Sequence, residues 1–226
     1  MGFIVAVDGT AGSGKGSITK VVAERLNLTA IDTGAMYRCV ALAMLEQNVK
    51  LEEIDKIEEI LKNIKIEFVE ENNCKKVFLN GKDVSLKIRT IEVTEYASPV
   101  ATIGIVREHL VKLQREMAKE LDVIMEGRDI GTNVFPNADV KIYLDATPEE
   151  RALRRVRQNK ENGIDTPFEE ILKNVIDRDY RDSHREIAPL TKAPEAVYVD
   201  STGMTIDEEA NVVIKIIEAK RKNKKD

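Results

Sequence analysis

The run Gly9-Thr10-Ala11-Gly12-Ser13-Gly14-Lys15-Gly16-Ser17 constrains this chain more than any other stretch. Before it lies Phe3-Ile4-Val5-Ala6-Val7, a short apolar, β-branched segment that reads as a buried parallel strand. After it, Ile18, Val21, Val22, Ala23 and Leu26 fall close to a helical stripe. Strand, glycine loop and helix form the context in which such a run binds phosphate. Polyphosphate must approach backbone N–H groups closely, and a Cβ would stand in the way. Glycine also opens the positive φ angles of an anion-binding nest. The helix start adds free N–H groups and a favourable dipole. Lys15 can then reach the terminal phosphates as a point charge. The competing reading is an ordinary glycine-rich turn; four glycines, the lysine and both flanks argue against it.

A chain of 226 residues suffices for one α/β domain with an inserted subdomain. Hydrophobic residues at 42% and charged residues at 33% fit a globular enzyme. The formal net charge of −5 gives no reason to expect nucleic-acid binding. No apolar run is long enough to span a membrane, and the first strand begins too early to leave room for a signal peptide, so cytoplasmic residence is the expectation. Cys39 and Cys74 are too few for a disulfide framework. With His109 and His184 they offer no zinc-type spacing.

Strand-like runs at 3–8, 29–32, 123–126, 141–145 and 197–200 alternate with helical patterns at 15–26, 35–47, 52–63, 103–121, 148–162, 168–183 and 206–222. This alternation predicts a mainly parallel five-stranded sheet with helices on both faces. The strands end in Asp8, Asp32, Glu126, Asp145 and Asp200, which puts carboxylates on the sheet edge where α/β ligands bind. One stretch breaks the rhythm. Short runs at 65–70, 75–79 and 82–84, joined by Asn72-Asn73 and by Asn80-Gly81, predict a small antiparallel meander. The basic tail from Lys220 to Lys225 reads as a frayed helix end that complements the dipole.

Two further clusters carry charge. Glu126-Gly127-Arg128-Asp129-Ile130-Gly131-Thr132 follows a strand, so it lies at the same sheet edge. Arg128 beside Asp129 suits a phosphate and a hydrogen-bonding base or sugar, or else a surface turn with a local ion pair. In Arg178-Asp179-Tyr180-Arg181-Asp182-Ser183-His184-Arg185, a continuing helix would put Arg178, Asp182 and Arg185 on one face. Taken alone, such alternation reads as a solvated face. Arg151, Arg154, Arg155 and Arg157 read the same way, but beside the loop Glu161-Asn162-Gly163-Ile164-Asp165 they could close over phosphates as a lid. Asp32-Thr33-Gly34-Ala35-Met36-Tyr37-Arg38 again follows a strand and opens a helix. His109 and His184 show no partner and read as structural.

GTAGSGKGS, DTGAMYR, EGRDIGT and RDYRDSHREIAPL, in this order and spacing, resemble the bacterial cytidylate kinases over essentially the whole chain, including the meander insert. The resemblance implies a P-loop kinase: a three-layer α/β sandwich with an inserted nucleoside-monophosphate-binding domain and a short arginine-rich lid. It implies a core of 1–35, 98–147 and 184–226, an insert of 36–97 and a lid region of 148–183. The implied reaction moves the γ-phosphoryl group of ATP, with Mg²⁺, to CMP or dCMP. Residues 9–17 would hold the ATP phosphates through Gly9, Thr10, Ala11, Gly12, Ser13, Gly14, Lys15, Gly16 and Ser17. Arg38, Arg128 and Arg185 would hold the CMP phosphate. Ser98, Arg107 and Asp129 would read cytosine, and Arg178 and Asp182 the ribose. Thr33 keeps a hydroxyl where the family often has Ser, and Glu126 a carboxylate where relatives often have Asp. Lys15, Arg128, Arg178 and Asp182 would form the catalytic set. Gly16, not Ser or Thr, follows the lysine and the hydroxyl comes one place later at Ser17, a departure that argues against direct ligation and leaves Ser17 a weak contact to Mg²⁺ brought by ATP. A monomer without membrane or nucleic-acid partners is expected.

The implied roles suit the chemistry. Phosphoryl transfer rests on positioning and charge neutralisation, so a site rich in arginine and lysine needs no covalent nucleophile. An aspartate can accept from the cytosine amine and would repel the uracil carbonyl. Two other readings share some of these features: another small-molecule kinase, such as a shikimate-type enzyme, and a nucleotide-dependent switch with no acceptor.

Overall fold

The structure, a computed structural model, describes residues 2–71, 74–161 and 163–223. The expected turn at Asn72-Asn73, the lid-loop residue Asn162 and the tail residues Lys224 and Lys225 lie outside the described residues. In chain order the elements begin β1 (Ile4–Gly9), α1 (Lys15–Leu26), β2 (Thr29–Asp32), α2 (Thr33–Glu46) and α3 (Ile54–Asn63). There follow β3 (Ile66–Glu71), β4 (Cys74–Leu79), β5 (Lys82–Asp83), a 3-10 turn (Lys87–Arg89), α4 (Ile91–Val100) and α5 (Gly104–Met117). The chain continues through β6 (Val123–Gly127), a π-helical turn (Ile130–Val134), β7 (Val140–Asp145), α6 (Pro148–Glu161), α7 (Phe168–His184), β8 (Val197–Asp200) and α8 (Ile206–Asn223).

Two compact units result: Met1–Ile31 with Met117–Asp226, and Asp32–Glu116. Residues 98–116, expected with the core, pack in the second unit.

The first unit is built on a five-stranded sheet of order β2-β6-β1-β7-β8. β1 is parallel to both neighbours, with Val5 opposite Ile124 on one side and Val140 on the other. A central parallel strand is covered on both faces, which is why 4–9 is buried without alternation. Ile18 and Val22 of α1 and Val213 and Ile217 of α8 join Val5, Val7, Ile124, Ile142 and Leu144 in the core. Each such side chain contributes roughly 1.5–3 kcal/mol by leaving water. α1 stops at Asn27, whose left-handed φ of 53° lets its N–H close on Ala23 O.

In the second unit α2 packs against α3, α4 and the 3-10 turn. Asp32 opens α2 by accepting from the Ala35 N–H at 2.9 Å. The meander forms as expected, with Ile66 opposite Leu79 and Phe68 opposite Val77. Its turn residues Asn80 and Gly81 have φ of 50° and 77°, the pair of positive angles a two-residue hairpin needs. Asn80 Oδ1 also accepts from the Lys65 N–H at 2.7 Å.

One helix ends earlier than its pattern suggests, and another does not continue as far as Arg185. α5 stops at Met117 rather than 121. α7 stops at His184, and Arg185 is extended with φ −64° and ψ 143°. Arg185 therefore does not share a helical face with Arg178 and Asp182. Its place is set by the following turn, where Ala188 has φ 48° and the Leu190 N–H donates to Asp182 O at 2.8 Å.

Candidate active site

The glycine loop lies at the C-terminal end of β1, between the ends of β6 and β7. Gly9 has φ 148°, and a Cβ there would sit 1.8 Å from Leu144 O, so no other residue fits without moving β7. The N-cap of α1 is Gly14, in the left-handed region. Thr10 Oγ1 donates to Asp145 Oδ1 at 2.6 Å, tying the loop to the end of β7.

Lys15 is buried. Its Nζ donates to Gly9 O at 2.9 Å, Thr10 O at 2.5 Å and Ser13 Oγ at 3.2 Å. Burial, reinforced by the Arg128 charge, pushes its ammonium well below the ordinary lysine range, against the pull of Glu126, Asp8 and Asp182. The cation thus rests on oxygens of its own loop and lies within electrostatic reach of Arg128 and Asp182.

Arg128 Nε donates to Asp182 Oδ2 at 2.9 Å. Arg185 Nη2 donates to Asp129 Oδ1 at 3.3 Å, and its Nε to Ala188 O at 2.7 Å. Asn133 Nδ2 donates to the other Asp129 oxygen at 3.0 Å. Burial alone would raise the Asp182 carboxyl, but Arg128, Arg178 and Arg185 hold it below the usual carboxylate range. The structure therefore brings Lys15, Arg128, Asp129, Arg178, Asp182 and Arg185 together in the first unit.

The four arginines of α6 divide. Arg151, 2% exposed, donates from Nε to Ala146 O and from Nη1 to Ala11 O, and grips both Asp179 oxygens at 3.0 and 2.6 Å. Arg154 donates to Ser13 O, to both oxygens of Ser201, to Glu150 and to Glu209. Both brace carbonyls of the glycine loop. Arg155 bonds Gln158 beside it, and Arg157 is exposed.

In the second unit Arg38 Nη2 donates to Asp32 Oδ2 at 2.9 Å. Arg107, 3% exposed, donates to Ala101 O, and its guanidinium lies 5.6 Å from the Tyr37 ring centre. Thr33 is buried at the start of α2, and Ser98 is half-buried on α4. His184 stacks on Tyr180, and Nδ1 lies 3.0 Å from Tyr180 O, a local role.

Asp8 and Asp179 enter the site without having been singled out. Asp8 bears the general mark of a strand-ending carboxylate. Asp179 sits in a run whose charge alternation reads as solvated, and nothing local signals its partner on α6.

A family model described as Cytidylate kinase matches residues 5–220. The chain is 46% identical over 214 residues to a curated cytidylate kinase of Ligilactobacillus salivarius (strain UCC118), covering 95% of this chain and 96% of the relative. It is 48% identical over 216 residues to a curated cytidylate kinase of Fusobacterium nucleatum subsp. nucleatum, covering 96% and 97%. Among solved structures, a gluconokinase from Sinorhizobium meliloti 1021 shares the fold with a TM-score of 0.51 at 13% identity, over 98% of this chain and 94% of that one.

Proposed function

The chain belongs to the cytidylate kinase family, and from that premise we infer that it transfers the γ-phosphoryl group of ATP to CMP or dCMP, giving ADP and CDP or dCDP. Within the structure, the supporting observation is that Lys15, on the loop after β1, and the Arg128–Asp182 ion pair, whose arginine follows the adjacent parallel strand β6, lie at one edge of the sheet. A donor-phosphate cation and an acceptor-side ion pair on one sheet edge suit in-line transfer between two bound anions.

Residues 9–17 hold the ATP phosphates, with Lys15 leaving its loop carbonyls for phosphate oxygens. Arg128 and Arg185 hold the acceptor phosphate as forks, and their carboxylates Asp182 and Asp129 keep them in place until it arrives. Asp129 accepts from the cytosine amine, and Arg178 and Asp182 meet the ribose. Thr33, Arg38, Ser98 and Arg107, in the second unit, are assigned to CMP by motif resemblance. Arg155 and Arg157 are the lid arginines, since Arg151 and Arg154 brace the loop from beneath.

Mg²⁺ is assigned to arrive with ATP. Among the described residues no group of three or more His, Cys, Asp or Glu side chains could hold a resident ion. The donors that fit are oxygens: exposed Ser17 on the first turn of α1, and Glu126, whose Oε1 lies 3.1 Å from where a Gly16 Cβ would stand. When bound, the ion would neutralise phosphate charge. No helix among the described residues is long and apolar enough to cross a membrane. A cytoplasmic monomer acting on free nucleotides completes the proposal.

A coupled ADP-release assay across CMP, dCMP, UMP, AMP and shikimate tests the reading. Turnover should be fastest with CMP or dCMP. A preference for AMP or shikimate, or nucleotide binding with no acceptor turnover, would overturn it.

A further inference from the structure

Asp8 is the penultimate residue of β1, next to the first glycine of the loop, yet its carboxylate bonds away from the loop. It is 3% exposed. Oδ1 accepts from the Ile130 N–H and Oδ2 from the Gly131 N–H, each at 2.7 Å. Those two N–H groups open the π-helical turn Ile130–Val134, whose N-cap is Asp129. Within the turn, Asn133 and Val134 donate back to Asp129 O at 2.9 and 3.1 Å, and Phe135 to Ile130 O at 2.7 Å. The first N–H groups of any helical turn lack partners inside it. Here a carboxylate from a strand 122 residues away in sequence supplies both.

The consequence reaches the side chain of Asp129. Its backbone, with φ −147° and ψ 27°, is fixed on one side by β6 and Arg128 and on the other by the turn that Asp8 caps. One carboxylate oxygen meets Arg185 and the other Asn133, itself a residue of the capped turn. Asp8 also lies within electrostatic reach of Lys15, but both of its hydrogen bonds go to the turn. It makes no hydrogen bond to Lys15, whose ammonium goes to Gly9, Thr10 and Ser13. A neutral apolar residue would fill the end of a buried central strand with no desolvation cost.

We infer that Asp8 is a positioning residue for acceptor-base selectivity: by capping the π-helical turn with both carboxylate oxygens, it holds Asp129 where the cytosine amine must meet it. This rests on the assignment of Asp129 to the base. Asp8 itself touches neither substrate; it acts from the donor-side strand on an acceptor-side residue.

The test uses Asp8→Asn, whose amide can accept from one of the two N–H groups but opposes the other with a donor. Expected are a fall of at least about fivefold in the CMP-to-UMP ratio of kcat/KM and a smaller change in KM for ATP. The ratio should not fall further when Asp8→Asn is added to Asp129→Ala, because a residue acting through Asp129 has nothing left to act on. Amide exchange at Ile130 and Gly131 should accelerate. An unchanged ratio in Asp8→Asn, or a loss that adds in full to that of Asp129→Ala, would overturn the inference. If Asp129→Ala alone leaves the ratio unchanged, the base assignment fails instead. Exchange at Ile130 and Gly131 then decides whether Asp8 holds the turn: faster exchange in Asp8→Asn upholds the cap, and equal exchange refutes it. Should Asp8→Asn not fold, Gly131→Ala perturbs the same contact from the other side, since its Cβ would lie 3.3 Å from Asp8 Oδ2 and 3.2 Å from Lys141 Cδ. It should reproduce the fall in ratio, and a ratio equal to wild type would count against the cap.

Discussion

Lys15 carries a charge that burial disfavours, and three oxygens of its own loop keep it in place. That arrangement stores a cation where a phosphate will need one. Lys15→Ala should leave the fold intact, since the loop's backbone is set by Gly9, Gly14 and the Thr10–Asp145 bond. It should lower kcat by on the order of a hundredfold or more, several kcal/mol of transition-state stabilisation. Steady-state rates alongside circular dichroism check this; near-normal kcat in a folded variant would remove the phosphate role. Asp8 makes a different prediction at the same scale. Burial pushes its carboxyl from 3.8 to about 6, although the Gly131 and Ile130 N–H groups pull it down. Between those values the native state binds a proton that the unfolded chain does not. Its contribution to stability is therefore most favourable at low pH, declines as pH rises through the window, and is fully lost above about 6. Wild type should gain roughly 2–3 kcal/mol relative to Asp8→Asn on going from about pH 7.5 to about pH 4. Urea titrations of both proteins at the two pH values measure it, and a difference independent of pH would show that Asp8 titrates normally.

The helices α6 and α7 meet across an ion pair that also reaches the glycine loop. Arg151 is 2% exposed and Asp179 24% on their side chains. Removing one partner strands the other, at a cost of about 3–5 kcal/mol when both are deeply buried. Arg151 keeps Ala146 O and Ala11 O, so Asp179→Ala should cost less, about 2–3 kcal/mol. Arg151→Met with Asp179→Ala should be less destabilised than the two single effects summed. Denaturant unfolding of the four proteins gives the cycle, and simple additivity would mean the pair does not couple the helices. Local pattern announced most of these elements to within a residue or two, because β-branched runs and 3.6-residue stripes are properties of adjacent residues. What it did not announce depends on distant partners. α4 went unread: Ile91, Val93 and Thr94 favour strands, Pro99 sits in its last turn, and packing against α2 makes it a helix. The π-helical turn is invisible without Asp8. Arg151 and Arg154 read as exposed lid residues because their acceptors, Ala11 O and Ser13 O, lie 140 and 141 positions away. Arg185 would share a helical face with Arg178 and Asp182 only in a continuing helix, and the helix stops one residue before it. The motif residues themselves were legible, since phosphate chemistry demands glycine, lysine and arginine wherever it occurs.

At the scale of the molecule, one unit is continuous in sequence, Asp32–Glu116, and the other is assembled from the chain on either side of it. β1 lies at the centre of the larger sheet, and its partners begin at Val123 and Val140. Pairing Ile4 with Val123 closes a loop of more than a hundred residues, an entropic cost that local contacts such as the β3–β4 hairpin avoid. The order of events during folding follows. The continuous unit can complete its helices and hairpin while β1, apolar along its whole length, still lacks both neighbours. Pulse-labelled hydrogen exchange during refolding should find amides of α2 and of the β3–β4 hairpin protected before those of β1, and simultaneous protection would show that the two units fold as one. During synthesis β1 emerges well before either of its neighbours, so the loop that follows it acquires its shape only after the segment carrying Arg38 and Arg107 has been made. A nascent chain would therefore gain its nucleotide-binding loop late, and until β7 emerges the apolar strand β1 is a segment in need of chaperone cover.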